Sequence, residues 1–129
     1  MALALKIALS MRITDALSYS EQRDSISHDW IYTLQAWGMV PLLVPNQICS
    51  VNSYFDDLQP DLLILTGGDN LGVTPDRDRT ERSLLEYALE KRMPTLGVCR
   101  GLQLIATYFG AELCAVESHV ATTHAISVR

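Results

Sequence analysis

Cysteine is scarce in this 129-residue chain, with three in all, at positions 49, 99 and 114. An odd and scattered set makes no disulfide framework and fits a reducing compartment, so a cytoplasmic location is expected. Basic residues are also few: Lys and Arg number 10 against 15 Asp and Glu, for a net charge of -5. That balance argues against a nucleic-acid or an acidic-membrane partner, since each favours clustered Lys and Arg. No apolar run is long enough to cross a bilayer. The apolar start, residues 1–9, is broken by Lys6, has no basic segment before it and is followed by no cleavage-like site. It therefore reads as a buried first strand and not as a signal peptide. Repeats, linkers and low-complexity tracts are absent. What is left, 48% hydrophobic and 19% charged, is ordinary globular composition, and the length suits one domain over residues 1–129.

The densest information lies in Pro94-Thr95-Leu96-Gly97-Val98-Cys99-Arg100-Gly101-Leu102-Gln103. A short apolar strand runs into a cysteine that has glycine two residues away on either side, and a helical pattern follows. A side chain on so sharp a strand-to-helix turn stands clear of the sheet, while the strand and helix come close enough that only hydrogen-sized neighbours fit. The turn leaves unpaired N–H groups at the positive end of a helix. A thiolate is favoured there, and an oxyanion can be held beside it. Free cysteine is more often a small core hydrophobe, and Cys49 and Cys114 are read that way. For Cys99 the elbow context selects a nucleophile that attacks an acyl carbon.

Strands are expected at residues 5–9, 40–44, 62–65 and 95–98. Helices are expected after Asp24-Ser25, which would cap Ile26, Trp30, Ile31 and Leu34 and stop at Gly38; after Ser50, with Val51, Tyr54, Phe55 and Leu58 on one face; over residues 79–92, with Leu84, Leu85, Ala88 and Leu89 buried; and over residues 102–109, before Gly110. Strands alternating with helices imply βαβ units and a parallel sheet covered on both faces, with active groups beyond the carboxyl ends of the strands. Gly67-Gly68 and Cys99 both stand at such ends. The last stretch offers a short apolar piece at residues 113–116 and a strand candidate at residues 125–128 with nothing after it to cover it, so the fold reads as interrupted at its C-terminus.

Gly97-Val98-Cys99-Arg100-Gly101-Leu102-Gln103 resembles the nucleophile motif of class I glutamine amidotransferases, most of all the branch of γ-glutamyl-γ-aminobutyrate hydrolases. Leu65-Thr66-Gly67-Gly68-Asp69 resembles that family's turn after the third strand, and Arg77-Asp78-Arg79-Thr80-Glu81 its Arg-Asp-x-x-Glu helix opening. Gly38 and Pro41 agree as well. The resemblance runs from about Lys6 to His124 and implies a flavodoxin-like α/β three-layer sandwich with a mostly parallel sheet. It implies cleavage of a γ-glutamyl amide through a thioester on Cys99, with the N–H groups of Arg100 and of the Gly67-Gly68 turn as the oxyanion hole. Gln103 either contacts the glutamyl portion or is an exposed helix residue. No cofactor and no metal are implied. The implied partners are a small molecule (glutamine or a γ-glutamyl amide) and either a synthetase or a second copy of the chain.

For Arg77, Asp78 and Glu81, a helix start is favoured over residues lining the mouth of the site. A cation loop of Asp76, Asp78 and Glu81 is discounted for want of the glycine and the alternating oxygens it needs. In the resembling family the base is a histidine oriented by a carboxylate in a His-x-Glu-like segment, and no His-x-Glu or His-x-Asp occurs here. His28-Asp29 suits a cap or the surface, and His119 and His124 are not expected to serve as base. The chain is therefore expected to be an N-terminal portion with little or no turnover by itself. The competing readings are a non-catalytic flavodoxin-like binding or regulatory module and a redox or stress-response protein with an elbow cysteine.

Overall fold

The computed structural model describes residues 3–129, so Met1 and Ala2, the start of the segment weighed as a signal peptide, lie outside the described residues. The elements in chain order are β1 (Lys6–Ser10), β2 (Arg12–Asp15), β3 (Gln22–Ser25), α1 (His28–Ala36), β4 (Val40–Val44), α2 (Val51–Leu58), β5 (Leu62–Leu65), α3 (Pro75–Lys91), β6 (Thr95–Gly97) and α4 (Arg100–Tyr108). Four of the strands form a parallel sheet in the order β4-β1-β5-β6, the flavodoxin-like α/β arrangement. Pro41 is tolerated because β4 is an edge strand, where a missing ladder donor matters least.

The period of two along the central strands divides the core. Ile7, Leu9 and Ile64 point to one face and bury Leu34 of α1, with Trp30 and Ile31 packed at its margin. Ala8, Leu63 and Leu65 point to the other face and meet Phe55, Leu84, Leu85, Tyr87 and Ala88 of α2 and α3, together with Leu104 of α4. Ser50 caps α2 as expected, accepting from the Ser53 N–H. No helix among the described residues is long and apolar enough to cross a membrane.

Several expectations need correction. Asp24 and Ser25 do not cap a helix: they lie in β3, which pairs antiparallel with β2 in a separate two-stranded ribbon, and Ser27 is the cap of α1. Helix α3 starts four residues before Arg79, with Pro75 in its first turn, where a missing N–H is harmless. Leu89 is exposed, since its position turns it away from the sheet. Residues 113–116 and 125–128 form no strand and are exposed. Cys49 and Cys114 are exposed too, so neither is a core hydrophobe.

Candidate active site

Cys99 sits between β6 and α4 with φ 56° and ψ -110°, a left-handed conformation sparsely populated by non-glycine residues. Its side chain is exposed. The strain follows from close packing: a Cβ on Gly97 would lie 2.6 Å from the Gly101 carbonyl carbon, and one on Gly101 would lie 2.7 Å from the Leu65 carbonyl carbon and run into its oxygen. The two flanking glycines thus let α4 lie directly on β5 and β6, and the chain between them has room for one bend only. The Val98 N–H donates to the Leu65 carbonyl (3.0 Å), and the Gln103 N–H to the Cys99 carbonyl (3.1 Å), which fixes the bend on both sides.

The turn after β5 stands next to it. A Cβ on Gly67 would lie 3.2 Å from Cys99 Cβ and 3.8 Å from its Sγ, so the absence of a side chain there leaves the sulfur uncovered. Gly68 has φ 94°, the region where glycine carries no steric penalty. The N–H groups of Gly68 and Arg100 make no hydrogen bond among the described residues. Thr66, at the start of the turn, is tied to the end of β1: its N–H donates to Ser10 Oγ and its hydroxyl to the Ser10 carbonyl, both at 2.9 Å.

Beside the turn opens a cavity of about 470 Å³ lined by Arg12, Thr14, Ser27, Trp30, Gly67 and Gly68, among others. The sequence pattern gave no sign of this wall. The β2–β3 ribbon delivers Arg12, whose guanidinium lies against Gly68 and pairs with Asp69 (Nη2–Oδ1 2.6 Å). Its signal in the sequence, Ile13 and Thr14 between charged residues, is too short to separate from loop. A cavity of about 480 Å³ at the opposite end of the sheet, lined by Gln59, Pro60, Lys91 and Pro94, stands away from the elbow. None of the histidines lines the cavity beside the turn. His28 begins α1, and His119 and His124 lie in the exposed C-terminal stretch with ring centroids 4.9 Å apart. Gln103 is half-buried in the first turns of α4, and its side chain makes no hydrogen bond among the described residues.

Arg77 and Asp78 lie in the opening turn of α3, the helix start expected, but Arg77 and Glu81 are neither a cap nor a mouth. Both side chains are 0% exposed. Arg77 Nε donates to Glu81 Oε1 at 2.7 Å, and its two terminal nitrogens donate to the carbonyls of Thr66, Gly67 and Gly68 at 3.0, 2.9 and 2.6 Å. Burial pushes the Arg77 pKa down, and Glu81 opposes that shift. The other oxygen of Glu81 accepts from Arg100, whose buried guanidinium also reaches Asp78. Asp78 in turn accepts from the Gly72 N–H at 2.8 Å. Arg77 of α3 thus holds the carbonyls of the turn, and Glu81 and Asp78 of α3 hold the guanidinium of the elbow's Arg100.

Residues 6–127 match the peptidase C26 family. The chain belongs to that family. Among its relatives, a γ-glutamyl-CDP-amidate hydrolase of Campylobacter jejuni is 31% identical over 123 residues, covering 88% of this chain and 60% of the relative. A putative glutamine amidotransferase-like protein of Lactococcus lactis, YvdE, is 45% identical over 67 residues, 41% of this chain and 28% of the relative. A glutamine-hydrolysing GMP synthase component of Pyrococcus furiosus is 32% identical over 81 residues, 63% of this chain and 40% of the relative. The chain therefore spans at most about three-fifths of the length of these relatives. These similarities place it among the class I glutamine amidotransferases, an enzyme family, in agreement with the sequence resemblance.

Proposed function

We propose that the chain carries the nucleophile half of a γ-glutamyl amide-cleaving site. Cys99 is the nucleophile, the N–H groups of Arg100 and of the Gly67-Gly68 turn are the oxyanion hole, and Gln103 lies on the substrate side of α4. The observation that carries this reading is the exposed sulfur at a positive-φ bend, with a side-chain-free turn against its Cβ.

The chemistry follows from the placement. The Cys99 thiolate adds to the γ-carbonyl carbon, and the carbonyl electron pair moves onto oxygen. Two N–H donors stabilise that oxyanion, each worth about 3 kcal/mol of barrier. Collapse re-forms the carbonyl and expels the amine, which must gain a proton, leaving a thioester. Water then adds to the thioester, returning the thiol and releasing glutamate. Proton delivery to the amine and activation of the water call for an acid–base group. The cavity supplies no histidine, so this chain by itself acylates readily only with leaving groups that need no proton, and it turns amides over slowly. The cavity under Trp30 and Arg12 receives the substrate. The freed amine is either released, as the name of the Campylobacter relative suggests, or passed to a synthetase, as the name of the Pyrococcus relative suggests.

Labelling with 6-diazo-5-oxonorleucine, a glutamine-mimicking electrophile, tests the reading. It predicts stoichiometric modification of Cys99 that glutamine blocks. Absence of labelling favours a non-catalytic module, and oxidation of Cys99 by peroxide without labelling favours a redox protein.

A further inference from the structure

A trans peptide group points its C=O and its N–H in opposite directions. The carbonyls of Thr66, Gly67 and Gly68 all converge on the guanidinium of Arg77. The N–H groups that share those peptide planes belong to Gly67, Gly68 and Asp69, so they face away from the buried guanidinium, onto the open side of the turn. A glycine pair has no stiffness of its own to keep that orientation. Arg77 supplies it, with a planar fork that a lysine cannot reproduce. The second donor, the Arg100 N–H, belongs to a residue whose side chain is 1% exposed and anchored on the same Glu81 that orients Arg77. One carboxylate on α3 therefore connects the two crossovers that contribute to the site.

We propose that Arg77 and Glu81 are positioning residues that hold the Gly68 and Arg100 N–H groups in a preformed oxyanion hole. The inference rests on the acyl-transfer reading above. Neither residue touches the substrate; Arg77 acts through the carbonyls it holds, and Glu81 through the two guanidinium groups it orients. Because preorganised donors act only where charge develops, their loss lowers the rate of oxyanion-forming steps and spares reactions that form none.

The test compares two reactions of Cys99 in the full chain. Acylation by N-acetylglutamate γ-p-nitrophenyl ester, followed as a burst of p-nitrophenol, passes through an oxyanion. Alkylation by iodoacetamide does not. Arg77→Lys, which keeps the charge but not the fork, is expected to slow saturated acylation by about 10- to 100-fold. Its half-saturation concentration and its alkylation rate stay within about twofold, as for interactions made only in the transition state. Glu81→Gln, which keeps the shape and loses the charge, is expected to show the same pattern more weakly. Equal loss of both reactions in both variants, or loss of neither, overturns the inference. No burst from the unsubstituted chain overturns the acyl-transfer reading itself, and the inference falls with it.

Discussion

Glu81 Oε2 accepts from the guanidinium of Arg100, an ion pair in which the two side chains are 0% and 1% exposed. Removing the carboxylate strands two buried cations, Arg77 and Arg100, and breaking such a pair from one side costs about 3–5 kcal/mol. Glu81→Ala is therefore expected to lose most of the stability of the chain in urea unfolding. Asp78→Ala, where the pair is partly exposed, loses about 1–2 kcal/mol. Equal losses for the two variants contradict the cluster as described.

The contact between Gly101 and the Leu65 carbonyl sets a second expectation. Gly101→Ala forces a methyl into backbone that has nowhere to move, costing about 1–3 kcal/mol or more. Leu102→Ala, one residue on and exposed, changes stability by less than about 0.5 kcal/mol. Denaturant midpoints of the two variants settle the order.

Backbone strain at Cys99 predicts a ranking of small residues. At φ 56°, alanine keeps the strain and glycine removes it, so Cys99→Gly is expected to be more stable than Cys99→Ala by about 1 kcal/mol. An ordinary N-cap already ranks glycine above alanine, and the positive φ of Cys99 widens that lead. Thermal melts with Cys99→Ala ahead contradict the conformation.

Asp76 gives an acid-side expectation. Its carboxylate accepts from Gln47 (2.7 Å) and from Arg79 (2.8 Å), and these bonds hold its pKa below the ordinary 3.8. A lowered carboxyl pKa means that the unfolded chain binds the proton first, so the contribution is full above pH 3.8 and is lost as pH falls through the folded value. Asp76→Asn is expected to lower the melting temperature at pH 7 and to match the unsubstituted chain in strong acid. A difference that persists at low pH contradicts the linkage.

The parallel strands were legible because each is a short apolar run ended by turn residues, and the elbow because Gly97 and Gly101 bracket Cys99. The start of α3 was hidden by the charged run Asp76-Arg77-Asp78-Arg79, where only Pro75 marked a first helical position. Arg77 and Glu81 read as no more than a helix start for the same reason. Their burial depends on Arg100, which stands 19 residues from Glu81 in sequence, and on carbonyls that no side-chain pattern records. The β2–β3 ribbon was invisible because its four-residue strands carry polar residues on both faces. Cys49 and Cys114 were misplaced because the usual burial of free cysteine says nothing about a given loop.

The central claim is a covalent bond between Cys99 and a γ-glutamyl carbonyl. Acid-quenched intact-mass measurement after mixing with the activated γ-glutamyl ester, followed by peptide mapping, tests that bond directly. One γ-glutamyl adduct per chain is predicted, carried by Cys99 and lost in Cys99→Ala. Cys49 and Cys114 are exposed as well, so an adduct spread over all three cysteines, or none at all, contradicts the claim.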